Sequence, residues 1–302
     1  MPHCNICNQD LSAPPERAKV RSNVRKFRSE QFEVWRCPHC QSIHAADEVD
    51  LAHYYADYPF HKLGGQDTDW MLGAMYGNLL RRLTAHGFTQ RSSLLDYGCG
   101  AGHFLDLCKK RGYQHMYGYD AYSASYADPA VLSQRYDVVM SQDVLEHVES
   151  PREHLQTLHS LAKPGGLVVV GTPNAAAIDL GDPEVRVHTL HQPYHRHIAS
   201  AQAVRDMAAD LGLSLSQYYP TMYSNTRVPF VNFAFVNHYF ACFDNTVDLA
   251  LEPMRVGSWK LWSPKTLFLG FFGSFFSPES DVMFVFSAPQ VAEQTAPQAA
   301  SA

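Results

Sequence analysis

The chain has 302 residues and a net charge of −6; 46% of it is hydrophobic, 18% charged and 12% aromatic. The hydrophobic share excludes a disordered chain, the length provides ample core for one enlarged or two ordinary domains, and the acidic balance argues against a protein built as a whole for nucleic acid. No apolar run reaches the ~18 residues of a spanning helix. Met1–Asp10 lacks the charged-then-apolar pattern of an export signal, so the expected location is the cytoplasm, with the seven cysteines mostly reduced.

In chain order, the first element is a pair of C-x-x-C knuckles, Cys4-Asn5-Ile6-Cys7 and Cys37-Pro38-His39-Cys40, with 29 residues between them. Each knuckle presents two thiolates to one ion, and four thiolates suit tetrahedral zinc with no open position. A structural zinc ribbon over residues 1–44 is expected, with a redox dithiol as the alternative. Between the knuckles, Arg17–Arg28 holds six bases and no acid. It reads either as a solvated ribbon face or as a phosphate-binding surface. Residues 45–92 form a connector rich in Tyr and His that ends in a helical pattern.

Residues 93–287 alternate short apolar runs with amphipathic stretches, the pattern of a parallel sheet covered on both faces. Strands are predicted at Leu94–Tyr97, Met116–Tyr119, Tyr136–Met140, Leu167–Gly171, Leu213–Tyr219 and Val282–Ser287. Helices are predicted at Gly102–Arg111, at Pro151–Leu161 with proline in its first turn, and at Ser200–Leu211 with serine as N-cap. Residues 288–302 read as a disordered tail.

Between the first of these strands and the first helix lies Asp96-Tyr97-Gly98-Cys99-Gly100-Ala101-Gly102. Glycines there permit a tight turn and close approach to a ligand, and the helix N-terminus behind them favours an anion. Asp120 ends the next strand, where a carboxylate accepts from ribose hydroxyls. A dinucleotide loop would want a third glycine where His103 stands. The G-x-G-x-G spacing preceded by an acid suits S-adenosylmethionine better.

Three stretches taken together, Leu94–Gly102, Tyr136–Val148 with its Leu145-Glu146-His147-Val148 segment, and Lys163-Pro164-Gly165-Gly166, resemble the class I S-adenosylmethionine-dependent methyltransferases. The resemblance covers about 92–215. It implies a Rossmann-like α/β fold with a seven-stranded sheet and helices on both faces, here joined to the small N-terminal zinc ribbon. Carried over by position, Asp96, Gly98, Gly100 and Gly102 would hold the methionine end of the cofactor, and Asp120 the ribose. Ser141 and Gln142 would line the cofactor or the reacting centre. One departure is plain: only 15 residues separate Asp120 from Tyr136, too few for a helix and a strand, and Asp128–Val131 is the sole candidate for the third strand.

Methyl transfer to a hydroxyl needs a proton acceptor, and histidine serves near neutral pH. The candidates are His147 in the motif, and His191 and His195 in a loop that also carries His188 and His197; that loop borders the acceptor pocket in the family. Tyr54, Tyr55, Tyr58 and His61 form a second cluster, which the resemblance implies could cover the cofactor.

The last two strands are separated by a long segment in which 14 of the chain's 37 aromatic residues fall between Thr221 and Ser280, beside four charges of each sign. This insertion reads as an apolar wall over the acceptor, a peripheral membrane contact, or a homodimer surface. The expected acceptor is a small or lipid-linked hydroxyl compound. The rival functions are an RNA methyltransferase gripping RNA with the basic ribbon, although nucleic acid fits the acidic chain poorly, and a non-catalytic binding module that kept the fold.

Overall fold

The structure, a computed structural model, describes residues 3–11, 13–56, 58 and 69–290. His61 and residues 291–302 of the expected tail lie outside the described residues.

The chain opens with a hairpin of β1 (His3–Cys4) and β2 (Gln9–Asp10), followed by β3 (Glu16–Arg21), β4 (Gln31–Arg36) and β5 (Ile43–Ala45). Helices α1 (Leu51–Tyr55) and α2 (Asp69–Ala85) lead into an alternating stretch of β6 (Leu94–Tyr97), α3 (His103–Lys110), β7 (Met116–Tyr119), β8 (Tyr136–Gln142), α4 (Pro151–Leu161) and β9 (Ala162–Pro173). Next come α5 (Val187–Leu190), β10 (His197–Ile198), α6 (Ala201–Asp210) and β11 (Ser214–Tyr219), then α7 (Phe233–Ala241), α8 (Pro264–Phe272) and β12 (Asp281–Ser287).

The main sheet runs β11-β12-β9-β8-β6-β7. Strands β6 to β9 are parallel, and β12 lies antiparallel between β9 and β11. Alternation along each strand feeds two cores. Leu95, Val139, Val168, Val170 and Phe284 face α4 and α6, whereas Leu94, Val138, Met140, Val169 and Val285 face α2 and α3. Ser200 caps α6 as expected, its Oγ accepting from Ala203 N, and Ser150 Oγ likewise accepts from Glu153 N before α4.

The sheet has six strands, not seven. The 15 residues after Asp120 close a turn through Ser123 and Tyr126 and then form a 3-10 helix, Pro129–Ser133, capped by Asp128. Residues 128–131 therefore contribute helix rather than strand, because so short a segment cannot carry a crossover and pair as well.

The boundary at residue 44 does not separate an autonomous ribbon. β5 pairs antiparallel with β10, His44 opposite His197 and Ile43 opposite Ile198, so the ribbon sheet β10-β5-β4-β3 takes one strand from beyond α5. Val20, Val34 and Ile43 share a core with Ala175, Ile178, Leu190 and Ile198. Of the six bases in Arg17–Arg28, Arg17 pairs with Glu33, Arg21 with Glu184, and Arg25 with Asp244 and Glu252. At least three of the six thus serve internal ion pairs.

The insertion folds on itself. Phe235, Tyr239, Phe240, Leu249 and Leu261 form its core, with Phe230, Phe243 and Leu269 packed at the edge.

Candidate active site

The parallel strand order reverses at β6, which runs to β7 on one side and lies beside β8 on the other; ligands of open α/β sheets bind above such a point. There the glycine loop leaves β6. Gly98 has φ +86°, and a Cβ on it would collide with the Val144 side chain, so only glycine lets the loop pass the turn that follows β8. Asp120 braces the loop from β7. One of its carboxylate oxygens accepts from Gly100 N and the other from Tyr122 N, each at 2.9 Å.

A cavity of about 50 Å³ opens beside the loop, lined by Asp96, Gly98, Cys99, Gln142 and, from outside the recognised motifs, Tyr76 and Tyr223. Burial, with the Asp120 charge nearby, pushes the Asp96 carboxyl up to about 8. Gln142 Oε1 is a buried acceptor with no hydrogen-bond partner. Ser141 departs from expectation. Strand alternation turns it to the opposite face of the sheet, where its hydroxyl meets His154 Nε2 of α4 at 2.9 Å, so Gln142 alone of the pair lines the cavity.

The second part of the site is the turn after β8. Arg196 N and His197 N both donate to the carbonyl of Glu146, at 2.8 and 3.2 Å, and so hold the histidine loop against that turn. His147 Nδ1 lies 3.1 Å from the Tyr194 carbonyl, and His195 Nδ1 lies 2.8 Å from the Thr189 carbonyl. A carbonyl can only accept, so both Nδ1 atoms carry the protons and both Nε2 atoms keep a lone pair. His195 Nε2 stands 4.0 Å from Glu146 Oε1, and one ligand atom each from Glu146, His147 and His195 lies within 4.8 Å of the others. The other Glu146 oxygen accepts from Thr172 Oγ1 at 3.0 Å. Burial, aided by Asp143, raises the Glu146 carboxyl well above the usual range. Burial lowers His147 to about 4 and His195 well below the usual imidazole range.

His191 sits in the same loop, but both its ring nitrogens are engaged, Nδ1 by Asn23 Oδ1 at 2.7 Å and Nε2 by Tyr58 OH at 3.1 Å. The tyrosine cluster closes over these histidines: Tyr55 OH is 3.1 Å from His147 Nδ1, and Tyr194 OH donates to the Tyr54 carbonyl at 3.1 Å. Sequence reasoning missed Tyr194, Thr172 and Asn23. Tyr194 adjoins His195, Thr172 follows Gly166 by six residues and Asn23 lies in the basic stretch, but no spacing signals their parts in the site.

The four knuckle cysteines meet as a cluster, with every sulfur within 4.8 Å of the others and the Cys4–Cys40 and Cys7–Cys37 pairs 3.6 and 3.8 Å apart. A tetrahedron with Zn–S bonds of about 2.3 Å has edges of about 3.8 Å, so this donor set fits that ion. Cys4 also lies 3.2 Å from His44 Nε2, behind which His44 Nδ1 is 3.2 Å from His197 Nδ1.

Residues 71–218 match the family model described as a methyltransferase domain. This part of the chain belongs to the class I S-adenosylmethionine-dependent methyltransferases. Among curated proteins, it is 28% identical over 137 residues to the ubiquinone biosynthesis O-methyltransferase of Cereibacter sphaeroides, covering 38% of this chain and 55% of that one. It is 28% identical over 152 residues to the protein of the same name from Azoarcus, covering 41% and 60%. The chain thus spans little more than half the length of these relatives. The crystal structure of magnesium protoporphyrin IX methyltransferase from Synechocystis, with bound S-adenosylhomocysteine, superposes with a TM-score of 0.43 at 16% identity, covering 78% of this chain and 95% of that one.

The buried neutral histidines make the fold acid-sensitive. His147 and His154 have folded values of about 4, below the ~6.5 of an unfolded histidine. Their contribution is complete above about 6.5 and is lost as pH falls from there toward 4. The melting temperature should decline over that window, and His154→Gln should flatten the decline, as followed by circular dichroism.

Proposed function

We propose that the protein is an S-adenosylmethionine-dependent O-methyltransferase acting on a small or lipid-linked hydroxyl compound. Family membership of residues 71–218 carries the reaction class, and the names of the curated relatives favour oxygen as the acceptor atom. S-adenosylmethionine supplies an electrophilic methyl group on a sulfonium centre. The residues present fit it. Asp96 offers a buried carboxyl to a cationic end, Gln142 Oε1 awaits a donor, and no heavy atom lies within 4 Å of where a Cβ on Gly100 would stand. Asp120 braces the loop and keeps further lone pairs for ribose hydroxyls.

Asp96 dictates a pH dependence of cofactor binding. A cation favours its carboxylate, whereas the free protein holds the proton up to about 8. Binding should therefore release a proton, and affinity should climb as pH rises toward 8 and level off above it. Calorimetric titration with S-adenosylmethionine in buffers of different ionisation enthalpy reads this directly. Asp96→Asn should weaken binding about 10- to 100-fold, the worth of one charged hydrogen bond, and remove the pH dependence. A wild type without binding would overturn the enzyme reading in favour of a non-catalytic module.

On the acceptor side, His147 and His195 present unprotonated Nε2 atoms in a dry pocket beside Glu146, so either can take the hydroxyl proton as the methyl group transfers. His191 positions Tyr58 rather than acting as base. A second reading is favoured by the convergence of Glu146, His147 and His195: two neutral imidazoles with backbone-held Nδ1–H groups and one carboxylate make a divalent-cation set, and such a cation would acidify the hydroxyl. His195→Gln should lower kcat about 10²- to 10⁴-fold with cofactor affinity unchanged. A rate that rises with added Mg²⁺ or Mn²⁺, and a dependence lost in Glu146→Gln, would select the cation reading.

The cysteine cluster is read as a structural zinc site that fixes the ribbon against the histidine loop. Elemental analysis of protein purified without added metal should give about one zinc per chain, falling toward zero in Cys37→Ser. An ion-free wild type would reject the site.

A further inference from the structure

Helix α8 is built inside out. Along it and the following 3-10 turn, Gly273–Phe275, the buried residues are Thr266, Gly270 and Gly273. Phe268, Phe271, Phe272, Phe275 and Phe276 are instead 49–66% exposed. The small face is locked inward. The Gly270 carbonyl accepts from Phe230 N at 2.8 Å and from Asn232 Nδ2 at 3.3 Å, and a Cβ on Gly270 or Gly273 would collide with the Phe230 ring or with Asn232. With that face fixed by close packing, the phenylalanines point away from the protein.

They form a continuous surface. The Phe268 ring lies 5.6 Å from those of both Phe272 and Phe276, and Phe271 lies 5.3 Å from Phe230. Each aromatic side chain offers about 200 Å², so five half-exposed rings exceed the few hundred Å² of contiguous apolar surface usual for a soluble monomer. Trp262, 60% exposed, stands just before α8, and Trp259, 77% exposed, one 3-10 turn earlier. The charges nearest the patch are mainly basic, with the exposed Glu279, which accepts from Tyr218 OH, at its C-terminal end. From Val256 to Pro278 there are two lysines and no acid. Arg227 is exposed and sits 5.7 Å over the Phe275 ring. Asp244 and Glu252, acids of the same insertion, are held by Arg25.

We propose that this face seats on a lipid bilayer carrying anionic headgroups, with the α8 phenylalanines in the interfacial zone and Arg227 and Lys265 at headgroup level. Among the described residues no helix is long and apolar enough to cross a membrane, so the element lies on the bilayer rather than spanning it. The mainly basic rim with flanking tryptophans favours a lipid surface over a second copy of this chain. The face is also joined to the cofactor cavity. Asn225, two residues after the cavity-lining Tyr223, receives Ser277 Oγ at 2.8 Å and donates to the Ser274 carbonyl at 3.2 Å. A membrane-borne acceptor would therefore reach the site from this side. The docking itself does not depend on the methyl-transfer reading.

The test is flotation of the full chain with phosphatidylcholine vesicles, with and without phosphatidylglycerol, beside the variants Phe268→Ser/Phe272→Ser/Phe276→Ser and Arg227→Glu/Lys265→Glu. The wild type should float with the anionic vesicles, and its tryptophan emission should shift to the blue on binding, a readout that needs no variant to fold. The phenylalanine variant should lose more than about tenfold of the partition, and the charge variant should lose the preference for phosphatidylglycerol. A wild type that stays unbound with both vesicles overturns the proposal, as does a phenylalanine variant that floats equally well. So does a wild-type dimer that this variant converts to monomer without any wild-type flotation.

Discussion

The carbonyl of Glu146 receives two backbone N–H groups, those of Arg196 and His197, and much of the candidate site rests on that clamp. The same short segment completes the ribbon sheet on its other side, where His197 and Ile198 pair with β5. One stretch of extended chain is thus shared between a hydrogen-bonded turn at the end of β8 and a sheet whose far end is the cysteine cluster. Pulling either side away would leave buried backbone donors without partners, at a cost of about 1–3 kcal/mol each. The ribbon therefore acts as a wall of the active-site region. Asn23, from the basic stretch, reaches His191 and His188 across the same junction.

That wall encloses the turn after β8. Glu146 and His195 are almost fully enclosed, and three polar atoms there are matched to particular neighbours: one carboxylate oxygen to Thr172, and the two Nδ1 protons to the Thr189 and Tyr194 carbonyls. Desolvation then drives acid and base in opposite directions, raising the carboxyl and lowering the imidazoles, so burial favours the uncharged form of all three groups. Asp96 on the cofactor side follows the same logic. Enclosure of this kind costs stability, and would suit the proposed reaction of a sulfonium cation with an ionising hydroxyl.

The insertion obeys a different rule. Its inner half is an ordinary aromatic core around Phe235, Tyr239 and Leu261, but α8 meets that core with glycines and keeps its rings outside. An aromatic-rich composition is compatible with either arrangement. The choice is made by Phe230 and Asn232, which occupy the space that side chains at Gly270 and Gly273 would need.

The elements of the catalytic domain were legible in the sequence to within a few residues, because hydrophobic period, serine caps, proline starts and glycine stops are local signals and here all agree. The glycine loop and the motif after β8 were legible as well, since each packs its chemistry into a few consecutive residues. The lack of a seventh strand among the described residues was foreshadowed by a bare count, as the 15 residues between Asp120 and Tyr136 suffice for the crossover from β7 to β8 but not for a further paired strand. What the sequence could not disclose is whatever depends on residues distant along the chain. These are the rotation of Ser141 toward His154, the engagement of both His191 nitrogens, the pairing of the ribbon arginines with Glu33, Glu184, Asp244 and Glu252, and the fourth ribbon strand supplied by His197–Ile198. By itself, then, the sequence determined the fold class, the cofactor loop and the spacing of the cysteine knuckles, because local backbone preference decides these. Only the tertiary structure decided which histidines keep a free lone pair and which way α8 faces, because both turn on which distant carbonyl or side chain comes within bonding distance.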